Sequence, residues 1–527
     1  MALHSSYNPG AEAERFVQGL DAQFVPACVV ILEGALGHCA PFLRKRFPGA
    51  KIGTIRFCAD FDQGGGEWDF CLRLDENCLQ AKDCAANGDG LQNSDCAADK
   101  NRSQDRNCAA PLSERLYAAL GEETLFQTLF FEWPASARVW QNETERAWNE
   151  IKAALQKAQA VLATREHFGK RWLKNKVSFF ERIESAEGAG TAAALQKIQK
   201  PVVICAAGPS LEDALPFIKS ARESVFVCAL SSAAGVLARF NVKPDLLMST
   251  DGGWWAKKHL DVLRKEFLDA PLALATEAAC PAALFKQKAI LPLCYDDDAL
   301  SKKLFSELGL PFASARRNGT VSGTALEFFL QEADGPIFFA GLDMQASKTK
   351  SHARPNALDS LDAASDFRLR PAETRGARGS MKNASLDFYA DWFAAFNASG
   401  RKIYRIKGAE PFGRRLGQIQ DIDAKEFLNI AESASKRGAA GGESARVCKP
   451  KKAEATIVCK PQKARGQEIR RVLEEWSQSD AFANELFPAD FIMAKREKDE
   501  AKKTERAEFM KKKAARLLQE IFKEGPR

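Results

Sequence analysis

Pro201-Val202-Val203-Ile204-Cys205-Ala206-Ala207-Gly208-Pro209-Ser210-Leu211-Glu212-Asp213 joins an apolar run to a Gly-Pro break and then to an S-x-x-D pattern. The run predicts a buried strand. Ser210 with Asp213 predicts a capping box, with a helix starting near Leu211. A strand, a tight turn and a helix N-terminus make a place where backbone N–H groups and the helix dipole face an anion, and a nucleotide phosphate suits it. Glu212 and Asp213 put negative charge into the same turn and oppose that attraction. The plain alternative is a connection between two elements of an α/β sheet.

Segments on either side extend the pattern. Ser224–Leu230 reads as a second buried strand followed by Ser231-Ser232-Ala233, and Val242–Gly252 as a third strand ending on Asp251. Pro336–Asp343 repeats the design, with an apolar run, Gly341 and an acid at the tip; His352 follows nine residues later. Asn318-Gly319-Thr320-Val321-Ser322-Gly323-Thr324 is a small polar loop leading into a helical stretch from Ala325 to Gln331. Carboxyl ends of parallel strands are where open α/β sheets hold ligands.

In this order, Gly208-Pro209-Ser210-Leu211, the Pro244-Asp245…Asp251 strand, the Ser322-Gly323 loop, Gly341-x-Asp343 and His352-Ala353 resemble the MptE-like domain. That domain is shared by the motility-accessory-factor (Maf) flagellin glycosyltransferases and the archaeal-type hydroxymethylpterin pyrophosphokinases. The resemblance spans roughly residues 165–410. Met344-Gln345 and the basic stretch Lys348-Thr349-Lys350 before the histidine depart from the family pattern.

The chain has 527 residues, 45% hydrophobic and 28% charged, which fits two or three globular domains. No apolar run approaches a membrane span. Met1–Gly10 lacks a basic n-region and an apolar h-region, so a cytoplasmic location is expected. The 14 cysteines include no C-x-x-C pair; Cys28, Cys205 and Cys228 sit in strand-like runs as core thiols. Residues 436–527 hold 23 Lys and Arg against 15 Asp and Glu, leaving 53 against 54 in the rest. The basic surplus belongs to the tail, so a nucleic-acid-binding face on the body is not indicated.

The expected architecture is α/β: a Rossmann-like central domain, a smaller N-terminal α/β domain and a C-terminal helical module. The N-terminal domain covers 1–138. Cys28–His38 reads as strand, turn and helix, with further strands at Ile52–Phe57 and Asp69–Leu72. Gly34-x-x-Gly37 is an incomplete dinucleotide pattern and poor grounds for a cofactor site; a connecting turn is the favoured reading. Residues 76–110 form a low-complexity insertion, with Cys84, Cys96 and Cys108 each followed by Ala-Ala, which is expected to be disordered. A helical connector spans 139–199 and is read as two helices, with Trp172 either core or a stacking platform. The central domain takes 200–430. A disordered basic linker at 431–466 carries the repeat Val447–Pro450/Val458–Pro461, and a helical module covers 467–527 with Met510, Ala514, Leu517, Leu518 and Ile521 on one face.

The resemblance implies transfer of a nonulosonic (sialic-acid-like) sugar from a CMP-activated donor to Ser or Thr of flagellin, in support of flagellum assembly. On that reading Gly208, Pro209, Ser210 and Leu211 hold the phosphate. Ser231, Ser232, Asn318, Gly319, Thr320, Ser322 and Gly323 contact base and ribose. His352 is the proton acceptor, with Asp343 and Asp251 as catalytic partners; the bland reading of a lone histidine is structural. His259, after Trp254-Trp255, reads as surface. The rival activity, transfer of diphosphate from ATP to a hydroxymethylpterin, requires Mg²⁺, for which Asp251 and Asp343 are the expected ligands at adjacent strand tips. No other cofactor is expected. A third reading is a non-enzymatic flagellin-binding protein.

Overall fold

The computed structural model describes residues 3–61, 67–74, 111–183, 197–345, 350, 352–357, 359–371, 374, 384–440 and 462–524. The insertion expected at 76–110 and the stretch 441–461 of the expected linker lie outside these. The other linker residues continue regular elements, the helices Ala424–Ala440 and Gln462–Trp476.

The chain divides into two compact units, Met1–Gly169 with Ser477–Leu517, and Lys170–Trp476 with Leu518–Arg527. The C-terminal residues therefore do not form one separate module. In the first unit β1 (Cys28–Leu32), β2 (Lys51–Arg56), β3 (Phe70–Arg73) and β4 (Thr128–Glu132) make a parallel sheet in the order β3-β2-β1-β4. The turn after β1 is filled from within: the Glu33 carboxylate accepts from Arg56 Nη1 at 3.0 Å and from the Phe57 amide at 2.6 Å. The helices Asp480–Leu486 and Pro488–Arg496 belong to this unit, and Phe482, Leu486 and Phe487 are buried in it.

Among the described residues the second unit is built on nine parallel strands: β5 (Val202–Cys205), β6 (Phe226–Leu230), β7 (Leu246–Ser249), β8 (Leu272–Ala275), β9 (Ile290–Tyr295), β10 (Ala313–Ala315), β11 (Ile337–Ala340), β12 (Ile403–Ile406) and β13 (Gln420–Ile422). Their order is β10-β9-β8-β7-β6-β5-β11-β12-β13. β5 to β9, β11 and β12 are buried along their whole length, as continuous Val, Ile, Leu and Phe runs require in a sheet covered on both faces. From β5 the chain steps outward to β10, then returns to lay β11, β12 and β13 on the other side. The β5/β11 boundary is thus the topological switch point, where a crevice opens beyond the carboxyl ends.

Residues 184–196 of the expected connector lie outside the described residues; within the described part, Gln141–Arg182 is one helix of 42 residues where two were expected. No proline interrupts it, and apolar residues recur at helical spacing over its full length. Among the described residues no helix is long and apolar enough to cross a membrane.

Candidate functional site

At the switch point the expected phosphate turn is already occupied by the protein itself. The helix after β5 is Ser210–Ser220, and the Ser210 side chain caps none of its amides. Instead the Ser210 amide donates to Asp343 Oδ2 at 2.9 Å and its hydroxyl bonds Asp343 Oδ1. Asp213, the other half of the expected box, accepts from the Ala409 amide at 2.8 Å. The anion at this helix N-terminus is the Asp343 carboxylate. Burial pushes that carboxyl up, against the Ser210 bonds that pull it down.

Gly208 is a glycine for a related reason. Its amide donates to the Gly341 carbonyl at 2.8 Å, and a Cβ on it would lie 2.5 Å from that oxygen and 2.7 Å from Asp343 Cγ. Gly341 in turn has φ +79°, where L side chains are strained. Arg405, with no exposed surface, braces the loop: it grips Asp421 through Nε at 2.6 Å and Nη2 at 2.9 Å and reaches the Leu342 carbonyl at 3.3 Å.

His352 is held over the same edge. The next residue donates from the Ala353 amide to the Ala207 carbonyl at 2.8 Å, and Glu212 accepts from Lys350 Nζ and the Arg354 amide, each at 2.8 Å. Lys350 thereby neutralises the acid that opposed anion binding in the sequence. Asn356 reaches toward the Ser232 carbonyl at 3.5 Å, and Ser231 is buried.

A second group gathers at the tip of β7. Asp251 is exposed and its Oδ1 accepts from the Gly253 amide at 2.8 Å. His259, read as surface from the sequence, is half-buried. Burial pushes its imidazole below the usual range, the nearby His352 adds to that, and Asp251 opposes it. Tyr389 feels Asp251 as well, its phenol pushed up by burial and by that carboxylate, and its Cε1 lies 3.1 Å from where Gly319 would carry a Cβ. Asp251, His259, His352, Tyr389 and the Gly319 loop therefore converge.

Within that loop Thr320 Oγ1 caps the helix Val321–Glu332 by accepting from the Gly323 amide at 2.9 Å. Asn318 Oδ1 accepts from the Thr320 amide at 3.1 Å. These two side chains hold the turn rather than face outward.

Asp251 and Asp343 are not at adjacent tips. They follow β7 and β11, which β6 and β5 separate, so three strand spacings of about 4.8 Å put them about 14 Å apart. One Mg²⁺ with its oxygens at about 2.0–2.1 Å does not fit this pair, and Asp343 is committed to Ser210.

Three neighbouring strand tips carry groups the motif reading passed over. Arg317, after β10, donates to Glu277 Oε1 at 2.6 Å and to Asp297 Oδ2 at 3.0 Å, and its guanidinium lies 4.4 Å from the Tyr295 ring centre. Lys176, on the long helix, pairs with Asp298 at 2.9 Å, and both side chains are at most 1% exposed. An apolar run broken by Glu277, the acidic triplet Asp296-Asp297-Asp298 and the basic pair Arg316-Arg317 were the available signals.

Residues 170–349 match the family model described as 6-hydroxymethylpterin diphosphokinase MptE-like. This stretch is an MptE-like domain, as its motifs indicated; His352 lies just beyond the match. The chain is 35% identical over 314 residues to an uncharacterized protein of Treponema pallidum (strain Nichols), a match covering 59% of this chain and 66% of that protein. Among solved structures, a MAf glycosyltransferase from Magnetospirillum magneticum AMB-1 is similar at a TM-score of 0.48 and 12% identity, over 99% of this chain and 84% of that one.

Proposed function

We propose that this chain is a Maf-like glycosyltransferase that moves a nonulosonic sugar from a CMP-activated donor to Ser or Thr hydroxyls of flagellin. The observation that carries the transferase reading is the convergence of Asp251, His259 and His352 at the carboxyl edge of a parallel sheet. His352 takes the acceptor proton as the acceptor oxygen bonds the anomeric carbon and the bond from that carbon to the CMP phosphate breaks. His259, whose charged form burial disfavours, and Asp251 orient it. Arg317, paired with Glu277 and Asp297, ties together the tips of β8, β9 and β10 beside that edge. Donor and acceptor identity rest on the five-motif resemblance alone, and the proposed cytoplasmic location rests on the N-terminal sequence pattern.

The pyrophosphokinase reading is disfavoured because the carboxylates it would use for Mg²⁺ are three strands apart. Purified protein is incubated either with a CMP-nonulosonate and flagellin, or with ATP, hydroxymethyldihydropterin and Mg²⁺. Sugar added to flagellin supports the proposal. Pterin diphosphate without sugar transfer overturns it, and flagellin capture without turnover of either donor establishes the binding-protein alternative.

A further inference from the structure

Apart from the convergent edge, the second unit contains a cavity of about 290 Å³ on the other side of the helix Trp254–His259. Lys257 lines it, whereas His259, two residues or about 200° further round the helix, takes part in the cluster with Asp251 and His352. Its lining includes Phe179, Phe285 and Phe522 together with Lys174, Arg182 and Lys257. Glu181 is the acid in the lining, and burial pushes its carboxyl up while Arg182 opposes that.

Arg182 and Lys257 both act electrostatically on the Cys280 thiol in the same lining. Burial nevertheless pushes that thiol up to about 12, so Cys280 is a neutral lining group and not a nucleophile. Among the described residues no ion pair joins Lys257. A lining that holds both phenylalanines and basic residues suits a ligand that carries both a ring and a negative charge.

We propose that this cavity is a second binding site, for a small aromatic anion whose ring lies against the wall that Phe285 and Phe522 line and whose charge meets Lys257 and Arg182. The volume admits one ring with a phosphate or carboxylate, at the lower end of small-molecule pockets. The cavity also adjoins the catalytic edge through the backbone: Ala279 in its wall donates its amide to the Asp251 carbonyl at 2.9 Å. Occupancy therefore bears on the loop that carries Asp251 without the ligand reaching His352.

Calorimetric titration of the full chain with phenyl phosphate, inorganic phosphate and benzyl alcohol tests this without requiring any transfer activity. Phenyl phosphate should bind at least about tenfold more tightly than either fragment, since each offers half of the recognition. Lys257→Glu should weaken phenyl phosphate by about tenfold or more, the scale of one charge-assisted contact. Lys258→Glu is the matched control: the same charge change on the next residue, which pairs with Asp261 and does not line the cavity. Equal losses in the two variants, equal binding of a fragment, or no heat from phenyl phosphate would each overturn the proposal.

Discussion

Asp343 shows how one side chain redefines a motif. Its carboxylate occupies the amide of Ser210, so the Gly208 turn is a joint between two strand ends and not an open cradle. Gly208→Val forces a Cβ into the Gly341 carbonyl and should lower stability by at least the about 1–3 kcal/mol typical of overpacking. Urea unfolding checks this, and an unchanged midpoint would show that the loop gives way. His352→Ala should lose about 10²–10⁴-fold in transfer rate at constant fold, the usual weight of a proton acceptor. The pH dependence follows from His259, whose folded form is held below its usual 6.5. The unfolded chain takes up that proton more readily, so stability falls as pH drops below about 6.5 and is untouched above it. Urea unfolding at about pH 7 and at about pH 5.5 reads this out, and equal midpoints would contradict it.

At the scale of elements, the long helix Gln141–Arg182 is tied to the sheet by a charge rather than by apolar contact alone. Lys176 meets Asp298 at the tip of β9, and Ser301 donates to the same carboxylate from its amide at 2.9 Å. Burial works against the Asp298 charge, yet Lys176 and Ser301 hold its carboxyl below the usual range. Removing one partner strands the other charge in the interior, so Lys176→Met should cost about 3–5 kcal/mol. Thermal unfolding of the variant measures it. If Lys176→Met and Asp298→Asn together restored the parent stability, the pair would be serving specificity and not stability. The strands themselves were legible, because Val202–Cys205, Phe226–Leu230 and Ile337–Ala340 are apolar runs with no competing helical period. The helix count was not, since nothing local distinguishes one helix of 42 residues from two joined without a breaker.

At the scale of the molecule, the C-terminal residues are integral to the first unit. Val25 donates its amide to the Arg496 carbonyl at 3.1 Å, Arg496 stacks on Phe24 at 3.8 Å, and Asn484 donates to Glu123 at 2.8 Å. Truncation after Gly466 exposes the surface that Phe482, Leu486 and Phe487 cover, so it should destabilise residues 1–169 and not merely weaken acceptor capture. Limited proteolysis of the truncated and full chains reads this out. Equal protection of the N-terminal sheet in both would mean that the first unit stands without its C-terminal helices.

The amino-acid sequence by itself determined the α/β class, the position of most strands, the MptE-like domain and the candidacy of Asp251 and His352, because apolar runs and turn chemistry act over a few residues. Strand order was beyond it. Whether β11 returns beside β5 or beyond β10 depends on which side of the sheet the crossover packs, and that choice put three strand spacings between Asp251 and Asp343. Tertiary structure alone also decided the competition for Ser210: a local cap three residues away lost to a carboxylate 133 residues distant. The helix amide and hydroxyl gain both oxygens of Asp343 there, and Asp213 is drawn off to Ala409.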